Sequence, residues 1–364
     1  MTEKDFLPKP YGALPAEGRV TWKAPSNIAL VKYWGKRPVQ IPANPSISFT
    51  LDACATTTTV SYTKRAAWDS KFSFDLFFEG KPKEDFKPKI HTFFERAEPY
   101  IPFLKDLHFT IETSNSFPHS SGIASSASGM AALSLCLMDI EKRLDPTMEQ
   151  GFFNRKASFL ARLGSGSACR SIEGPLIQFG QHRSIPGSSD LFGIKYPFEV
   201  NPVYNAYHDT ILLVHKGQKQ VSSTVGHDLM HGHPYAEKRF QQALQNLDGL
   251  KPIFASGDLE GFIKLVESEA LILHAMMMTS MPYFILMKPD TLEIINKIWS
   301  YRERTKTPIC FTLDAGANVH VLYPESVKEK AIQFIQDELV AHCEKGHHIC
   351  DRNGNGAKKI NGKK

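Results

Sequence analysis

Several things are scarce in this sequence, and each scarcity excludes something. No apolar run reaches the ~18 residues that would span a bilayer. The opening Met1-Thr2-Glu3-Lys4-Asp5-Phe6-Leu7-Pro8 has no apolar signal core. The expected location is therefore cytoplasmic, with no membrane partner. No segment repeats at a fixed period, which removes solenoids and propellers. Neither sign of charge dominates: 43 Lys+Arg against 38 Asp+Glu leave a formal net charge of +5. That is too mild to argue for nucleic acid, and suits plain solubility or an enzyme that gathers phosphates and carboxylates. Cysteine is sparse. Cys54, Cys136, Cys169, Cys310, Cys343 and Cys350 are scattered without a framework spacing, so reduced thiols are expected. Cys343 and Cys350 bracket His347 and His348, but no second cysteine pair closes a tetrahedron, and the stretch reads as a polar loop.

What is present is an ordinary globular balance, 42% hydrophobic and 22% charged over 364 residues, enough for two lobes. The first third is rich in strand patterns. Arg19–Ala24 alternates, as does the threonine run at 56–63, and Phe72–Phe78 and Leu107–Glu112 read as strands. Helices are expected at Ala124–Arg143 and at Thr147–Leu163, the second started by Pro146 with Asp145 as its cap. A strand at Gly174–Gly180 precedes a loop-like stretch, Gln181–Asn205. The second half opens with a strand at Thr210–Val214, followed by helices at about 234–247, 258–274 and 290–304. Strands at Ile309–Leu313 and Val319–Tyr323 are joined by a tight turn, and a last helix covers Ser326–Cys343. The pattern is α+β, two lobes around a cleft. Residues 1–205 form the expected N-terminal nucleotide- and phosphate-binding lobe and 206–342 the C-terminal lobe. Residues 343–364 are a polar, partly disordered tail.

Four segments carry chemistry. Pro118 to Gly129 follows a strand and opens a helix with small residues, His119-Ser120-Ser121-Gly122-Ile123-Ala124-Ser125-Ser126-Ala127. Backbone N–H groups and the helix N-terminus there can hold an anion, although no Gly-Lys-Ser/Thr closes a phosphate loop; the alternative is a helix-packing segment. In Ala24 to Arg37, strand alternation puts Lys32, Trp34 and Lys36 on one face, with Lys36 and Arg37 able to hold a diphosphate; the alternative is an edge strand guarded by lysines. Gly164-Ser165-Gly166-Ser167-Ala168-Cys169-Arg170-Ser171 is a small-residue loop before an arginine whose planar fork fits a carboxylate, or else a loop with a structural arginine. Thr312-Leu313-Asp314-Ala315-Gly316-Ala317-Asn318 puts one Asp at the end of an apolar strand, either a general base or a turn cap.

Together these segments resemble one family. Ser26-Asn27-Ile28-Ala29-Leu30-Val31-Lys32-Tyr33-Trp34-Gly35-Lys36-Arg37 is similar to the signature of the diphosphomevalonate decarboxylases, members of the galactokinase, homoserine kinase, mevalonate kinase and phosphomevalonate kinase superfamily. Gly122 to Ala127 resembles the superfamily's phosphate-binding motif. Gly164–Ser171 and Leu313–Asn318 look like two further motifs of the decarboxylases, and Val221-Ser222-Ser223-Thr224 matches a fifth, which helps hold the substrate diphosphate. The resemblance runs from about residue 19 to 342. Three departures stand out: His119-Ser120-Ser121 where Thr-Ala-Ala is usual, Glu173-Gly174-Pro175 where an aromatic-Gly-Gly stretch is usual, and Ala317 where proline is common.

The resemblance implies a ribosomal-protein-S5-like N-terminal lobe, a ferredoxin-like C-terminal lobe and a homodimer. It implies ATP as co-substrate with Mg2+, and phosphorylation of the 3-hydroxyl of mevalonate 5-diphosphate followed by loss of phosphate and CO2. It assigns Asp314, Lys32, Arg170 and Asn27 to catalysis. Tyr33, Lys36, Ser165, Ser167, Arg170 and Ser223 go to the substrate, and Ser120, Gly122, Ala124, Ser125, Ser126 and Ala127 to ATP, with Ser126 also reaching the metal. A decarboxylase of the 5-phosphate, a kinase-only relative and a non-catalytic nucleotide-binding protein are the rival readings.

Overall fold

Two long strands form the spine of the N-terminal half, β1 (Glu17–Val31) and, after the short β2 (Lys36–Arg37) and β3 (Ile41–Pro42), β4 (Ser46–Lys64). The chain is described by a computed structural model over residues 1–66, 70–118, 123–217 and 223–361. β1 and β4 pair antiparallel from Glu17↔Thr63 to Val31↔Ile47, with irregularities between Pro25 and Asn27 and between Ala29 and Val31. Both strands outrun the predicted segments. The threonine run of β4 is β-branched and suits a pleated surface. The apolar residues beyond it, Ile47, Phe49 and Leu51, are buried on a second core that alternation over a short window does not reveal.

The remaining elements follow in order: β5 (Ser73–Phe78), β6 (Lys81–Pro82), α1 (Lys87–Ala97), β7 (Leu107–Asn115), α2 (Ser125–Leu144), α3 (Gln150–Gly164), β8 (Leu176–Phe179) and β9 (Ile194–Lys195). The second half supplies β10 (Tyr207–Leu212), α4 (Ser223–Asp228), α5 (Ala236–Ser256), α6 (Leu259–Met278), α7 (Pro289–Thr305), β11 (Cys310–Leu313), β12 (Val319–Pro324), α8 (Lys328–Phe334), β13 (His348–Arg352) and β14 (Lys358–Lys359). The first sheet is ordered β14-β1-β4-β7-β5-β6, with β8 and β9 attached to β4; the second is ordered β11-β12-β10-β13.

The cores explain the two lobes. One end of the β1–β4 ribbon, through Val20, Ala24, Val60 and Tyr62, packs against α2 and α3. Its other end, through Ile28, Leu30, Ile47 and Phe49, packs against Leu250 and Phe254 of α5 and Phe262 and Val266 of α6. The same two strands therefore join both halves, and each fully buried Phe or Leu along them contributes about 1.5–3 kcal/mol. A third core sits between the second sheet and α7 and α8, with Ile294, Ile298, Phe311, Val321 and Phe334 at its centre.

Several expectations need correction. α1 was not predicted, although Ile90, Phe93, Phe94 and Ala97 give it a helical stripe that is buried. α3 starts at Gln150 rather than at Thr147. Asp145 lies at the C-terminus of α2, and its carboxylate accepts from the Thr147 N–H at 3.2 Å and from its hydroxyl. Residues after Cys343, read as a polar tail, form β13 on β10 and β14 on β1. The side chain of Asp351 holds them down by accepting from the N–H groups of Asp52, Ala53 and Cys54 at 3.0, 2.8 and 2.7 Å. Polar composition concealed a strand whose stability comes from pairing.

Candidate active site

β1 does not continue through Lys32. Its backbone N–H donates to the Glu269 carboxylate at 2.8 Å instead of to a strand partner. Its carbonyl accepts from Asn44 Nδ2 at 2.9 Å and Arg239 Nη2 at 3.2 Å. Glu269 and Arg239 form a buried ion pair at 2.6 Å, so the turn after β1 is anchored by a buried pair of opposite charges. The expected single strand face of Lys32, Trp34 and Lys36 is thereby corrected. Residues 32–35 lie outside any strand, and Lys32, Tyr33 and Trp34 are all buried.

The turn aims Lys32 at Asp314. Its Nζ donates to the Ala29 carbonyl at 2.6 Å and lies 3.4 Å from Asp314 Oδ1. Burial lowers the lysine pKa, and the Asp314 carboxylate only partly offsets this. Asp314 occupies the turn between β11 and β12, with its side chain 26% exposed toward the cleft. From behind, His274 of α6 lies with Nε2 3.2 Å from the Asp314 carbonyl oxygen.

Arg170 comes from the N-terminal half, in the 3-10 turn Gly166–Ser171 that follows α3. Its Nε donates to Asn27 Oδ1 at 3.2 Å and its Nη1 donates to the Ser46 hydroxyl. Asn27 is itself fixed, donating to Ser171 Oγ at 2.8 Å and to the Ser167 carbonyl at 3.3 Å. Two of the three guanidinium nitrogens are thus held by the protein, and Nη2 makes no hydrogen bond to a described residue. The guanidinium stacks 5.9 Å from the Tyr33 ring centroid. Tyr33 fits because Gly166 has no side chain; a Cβ there would stand 2.4 Å from the Tyr33 hydroxyl oxygen.

These groups line one cavity of about 260 Å³ between the two halves. Its walls include Asn27, Lys32, Tyr33, Lys36, Lys89, Ala124, Ser126, Ser165, Ser167, Arg170, His227 and Asp314. Most of the residues expected from sequence therefore converge. Ala124, in the left-handed region at φ 42°, turns the chain into α2 and brings Ser126 to the cleft, its Oγ 3.4 Å from Ser165 Oγ. The N-terminus of this 20-residue helix carries partial positive charge. Two further ATP assignments stand away from the cavity wall. Ala127 is in the core with its N–H given to the Ala124 carbonyl at 2.8 Å, and Ser125 does not line the cavity. Ser120 and Gly122 lie outside the described residues, as do Val221 and Ser222; Ser223 begins α4.

Sequence reasoning missed Lys89, His227 and the His274 support. Lys89 is exposed as a residue and also lines the cleft. Desolvation and then the Lys36 ammonium draw its pKa down. Lys36 is lowered by burial too, with Asp228 4.0 Å away acting against it. Two uncomfortable ammoniums in one cavity are poised for a polyanion.

Two lobes with separate sheets, and between them a cleft of lysines, arginine and serines around one carboxylate, define a phosphoryl-handling enzyme of the two-lobed galactokinase, homoserine kinase, mevalonate kinase and phosphomevalonate kinase fold. The family model for the diphosphomevalonate decarboxylase-like N-terminal domain matches residues 24–190. That for the mevalonate 5-diphosphate decarboxylase C-terminal domain matches residues 210–362. The chain belongs to the diphosphomevalonate decarboxylase family.

Among curated relatives, the diphosphomevalonate decarboxylase of Ganoderma lucidum is 29% identical over 335 residues, 87% of this chain and 81% of its own length. That of Aspergillus fumigatus is 28% identical over 327 residues, 85% of this chain and 78% of its own. Among solved structures, the mevalonate diphosphate decarboxylase of Enterococcus faecalis is 26% identical with a TM-score of 0.78, covering 95% of this chain and 99% of that one. A complex of MDDEF with MVAPP, AMPPCP and magnesium is 27% identical with a TM-score of 0.81, at the same coverages.

Proposed function

We propose that this chain catalyses the ATP-dependent decarboxylation of mevalonate 5-diphosphate to isopentenyl diphosphate, releasing ADP, phosphate and CO2. The observation that carries the reading is the meeting of Lys32 and Asp314, 3.4 Å apart, with Arg170 in one cavity. The relatives named above support the substrate and the co-substrate.

A tertiary alcohol is a poor nucleophile. Asp314 would accept its proton as the γ-phosphoryl group of ATP transfers to the oxygen. Lys32, held against Asp314 by the Ala29 carbonyl, faces the charge that develops on the phosphoryl oxygens. Loss of the new phosphate leaves C3 electron-deficient, and the carboxylate supplies the electron pair as CO2 departs. The open Nη2 of Arg170 is the group suited to hold that carboxylate in line, with Asn27 fixing the fork. Lys36 and Lys89 suit the 5-diphosphate. The start of α2, with Ser126, suits the ATP phosphates.

A magnesium ion would be held mostly by ATP oxygens and water, as is usual for this cation. The protein donors that fit are the Ser126 hydroxyl and the Asp314 carboxylate; among the described residues no group of three or more His, Cys, Asp or Glu could hold a metal by itself. When bound, the ion would neutralise charge on the phosphates. A homodimer and a cytoplasmic location belong to the same reading and rest on the family resemblance; among the described residues no helix is long and apolar enough to cross a membrane. Sedimentation equilibrium tests the dimer.

The deciding experiment couples ADP and CO2 measurement with mevalonate, its 5-phosphate and its 5-diphosphate as separate substrates. Equimolar ADP and CO2 with the 5-diphosphate is expected. ADP without CO2 would make the chain a kinase, and preference for the 5-phosphate would move the substrate one phosphate shorter.

A further inference from the structure

His227 belongs to no motif that drew attention to the cleft, yet it lines the cavity beside Lys36 and Arg170. It sits on α4, one helical turn beyond Ser223. Its ring is buried against two aromatic rings of the turn after β1, with centroids 4.5 Å from Tyr33 and 4.7 Å from Trp34. The close approach of α4 depends on Gly226, where a Cβ would stand 2.5 Å from the Trp34 ring. The two aromatic rings therefore fix the ring plane.

The tautomer is fixed as well. The Gly35 N–H donates to His227 Nδ1 at 3.0 Å, so Nδ1 is an acceptor and the proton of the neutral ring resides on Nε2. Nε2 has no hydrogen-bond partner among the described residues. Burial, and then the positive charges of Lys36 and Arg170, hold the imidazole pKa down at about 3, so the ring stays neutral at working pH. A neutral N–H donor has an advantage over a third cation here. It can bind a phosphate oxygen without adding repulsion against Lys36, whose own pKa is already lowered by burial.

We infer that His227 is a specificity-determining residue that donates its Nε2–H to a phosphate oxygen of the substrate's 5-diphosphate. The inference rests on the reading that a phosphorylated acid occupies this cleft. The contact is made in ground and transition states alike, so its loss appears in KM rather than kcat.

Two substitutions separate this role from a merely structural one. His227→Asn keeps an acceptor where Nδ1 meets Gly35 and removes the distal donor; His227→Gln keeps a donor near the Nε2 position and loses the Gly35 contact. For a donor to phosphate, His227→Asn raises KM for the diphosphate substrate by about ten- to a hundredfold, the range for a hydrogen bond to a charged group. In that variant kcat and Tm stay near wild type, and His227→Gln keeps a KM closer to normal. A normal KM in His227→Asn, with a loss of Tm confined to His227→Gln, would overturn the inference and leave His227 as a tie to Gly35.

A measurement on the unaltered protein stands beside the variants in case neither folds. With 15N-labelled histidine, titration with inorganic diphosphate should shift the Nε2 resonance of His227 while Nδ1 remains an acceptor. An Nε2 signal unmoved at saturating diphosphate overturns the assignment. Wild-type protein that turns over no phosphorylated acid would sink the functional reading instead, and the diphosphate titration would still decide His227.

Discussion

Arg170 Nε donates to Asn27 Oδ1 at 3.2 Å, and the two residues are 143 positions apart in the chain. The bond ties the turn after α3 to the irregular stretch of β1 and leaves one guanidinium nitrogen to face the cleft. Arg170→Lys should therefore not be conservative. Lysine has no planar fork, cannot satisfy Asn27 and Ser46 while reaching the substrate, and presents a point charge. A misplacement of ~1 Å can cost about a hundredfold in rate. CO2 release per folded molecule should fall by at least that order, with little change in ATP affinity. A Lys variant with unaltered Tm and near-normal CO2 release would remove Arg170 from the substrate carboxylate.

Asp314→Asn should preserve the fold and abolish most turnover. The exchange is nearly isosteric, and the His274 contact is to the backbone carbonyl, which is unchanged. What disappears is the anionic proton acceptor, typically worth ~10²–10⁴ in rate. Retention of more than about a tenth of wild-type kcat, measured with saturating ATP, would reduce Asp314 to a turn residue. A pH profile adds a second check. Burial lowers the Lys32 pKa below that of an ordinary lysine. Its charge is therefore lost on a more acidic alkaline limb, and kcat/KM should decline there before free lysines titrate. Lys32→Met should lose that limb along with most activity.

Acid stability carries a separate prediction. His274 is buried with its pKa held down by burial to about 4, from 6.5, and His227 is at about 3. Below 6.5 the unfolded chain takes up protons that the folded chain refuses, so stability falls as pH drops from 6.5 toward those values. Each such histidine contributes up to about 1.4 kcal/mol per pH unit across that window. Nothing is lost above 6.5. His274→Gln keeps a donor for the Asp314 carbonyl and cannot titrate. Its Tm should decline less steeply than wild type between pH 6.5 and 5, where ordinary carboxylates still contribute little. Parallel slopes would mean that His274 is already protonated in the folded protein.

The fold class and most of the site were legible because the signals were local. Asp314, Arg170, Lys32 and the small residues before α2 stand in short runs whose composition betrays a turn, a fork or a helix start. What escaped was set by contacts distant in sequence. β1 stops at Val31 because Glu269, 237 positions later, takes the Lys32 N–H, and no alternation pattern contains that. β13 and β14 are polar and short, and exist only as partners of β10 and β1. α1 was different: the Ile90, Phe93, Phe94, Ala97 stripe was readable, and the charged run before it, from Lys81 to Lys89, obscured it. Missing α1 meant missing Lys89.

Lys89→Ala tests whether that helix serves the cleft. Lys89 lines the cavity at the start of α1, and its pKa is lowered by desolvation and by the Lys36 ammonium. Without an anion the two ammoniums repel each other, so the free enzyme should lose no stability and is expected to melt at the same temperature or slightly higher. With a phosphorylated ligand the balance reverses, because each ammonium then has phosphate oxygens to face. KM for the phosphorylated substrate should rise by about tenfold, as for one hydrogen bond to a charged group, with kcat nearly unchanged. Ionic strength separates this from a packing effect. A cleft that attracts its ligand through charge binds less well as salt is added, and the variant, with one charge fewer, should show a shallower rise of KM between 50 and 300 mM salt, concentrations on the order of the physiological range. A variant with lower Tm, wild-type KM and the same salt slope would make Lys89 a surface residue of α1 with no part in the site.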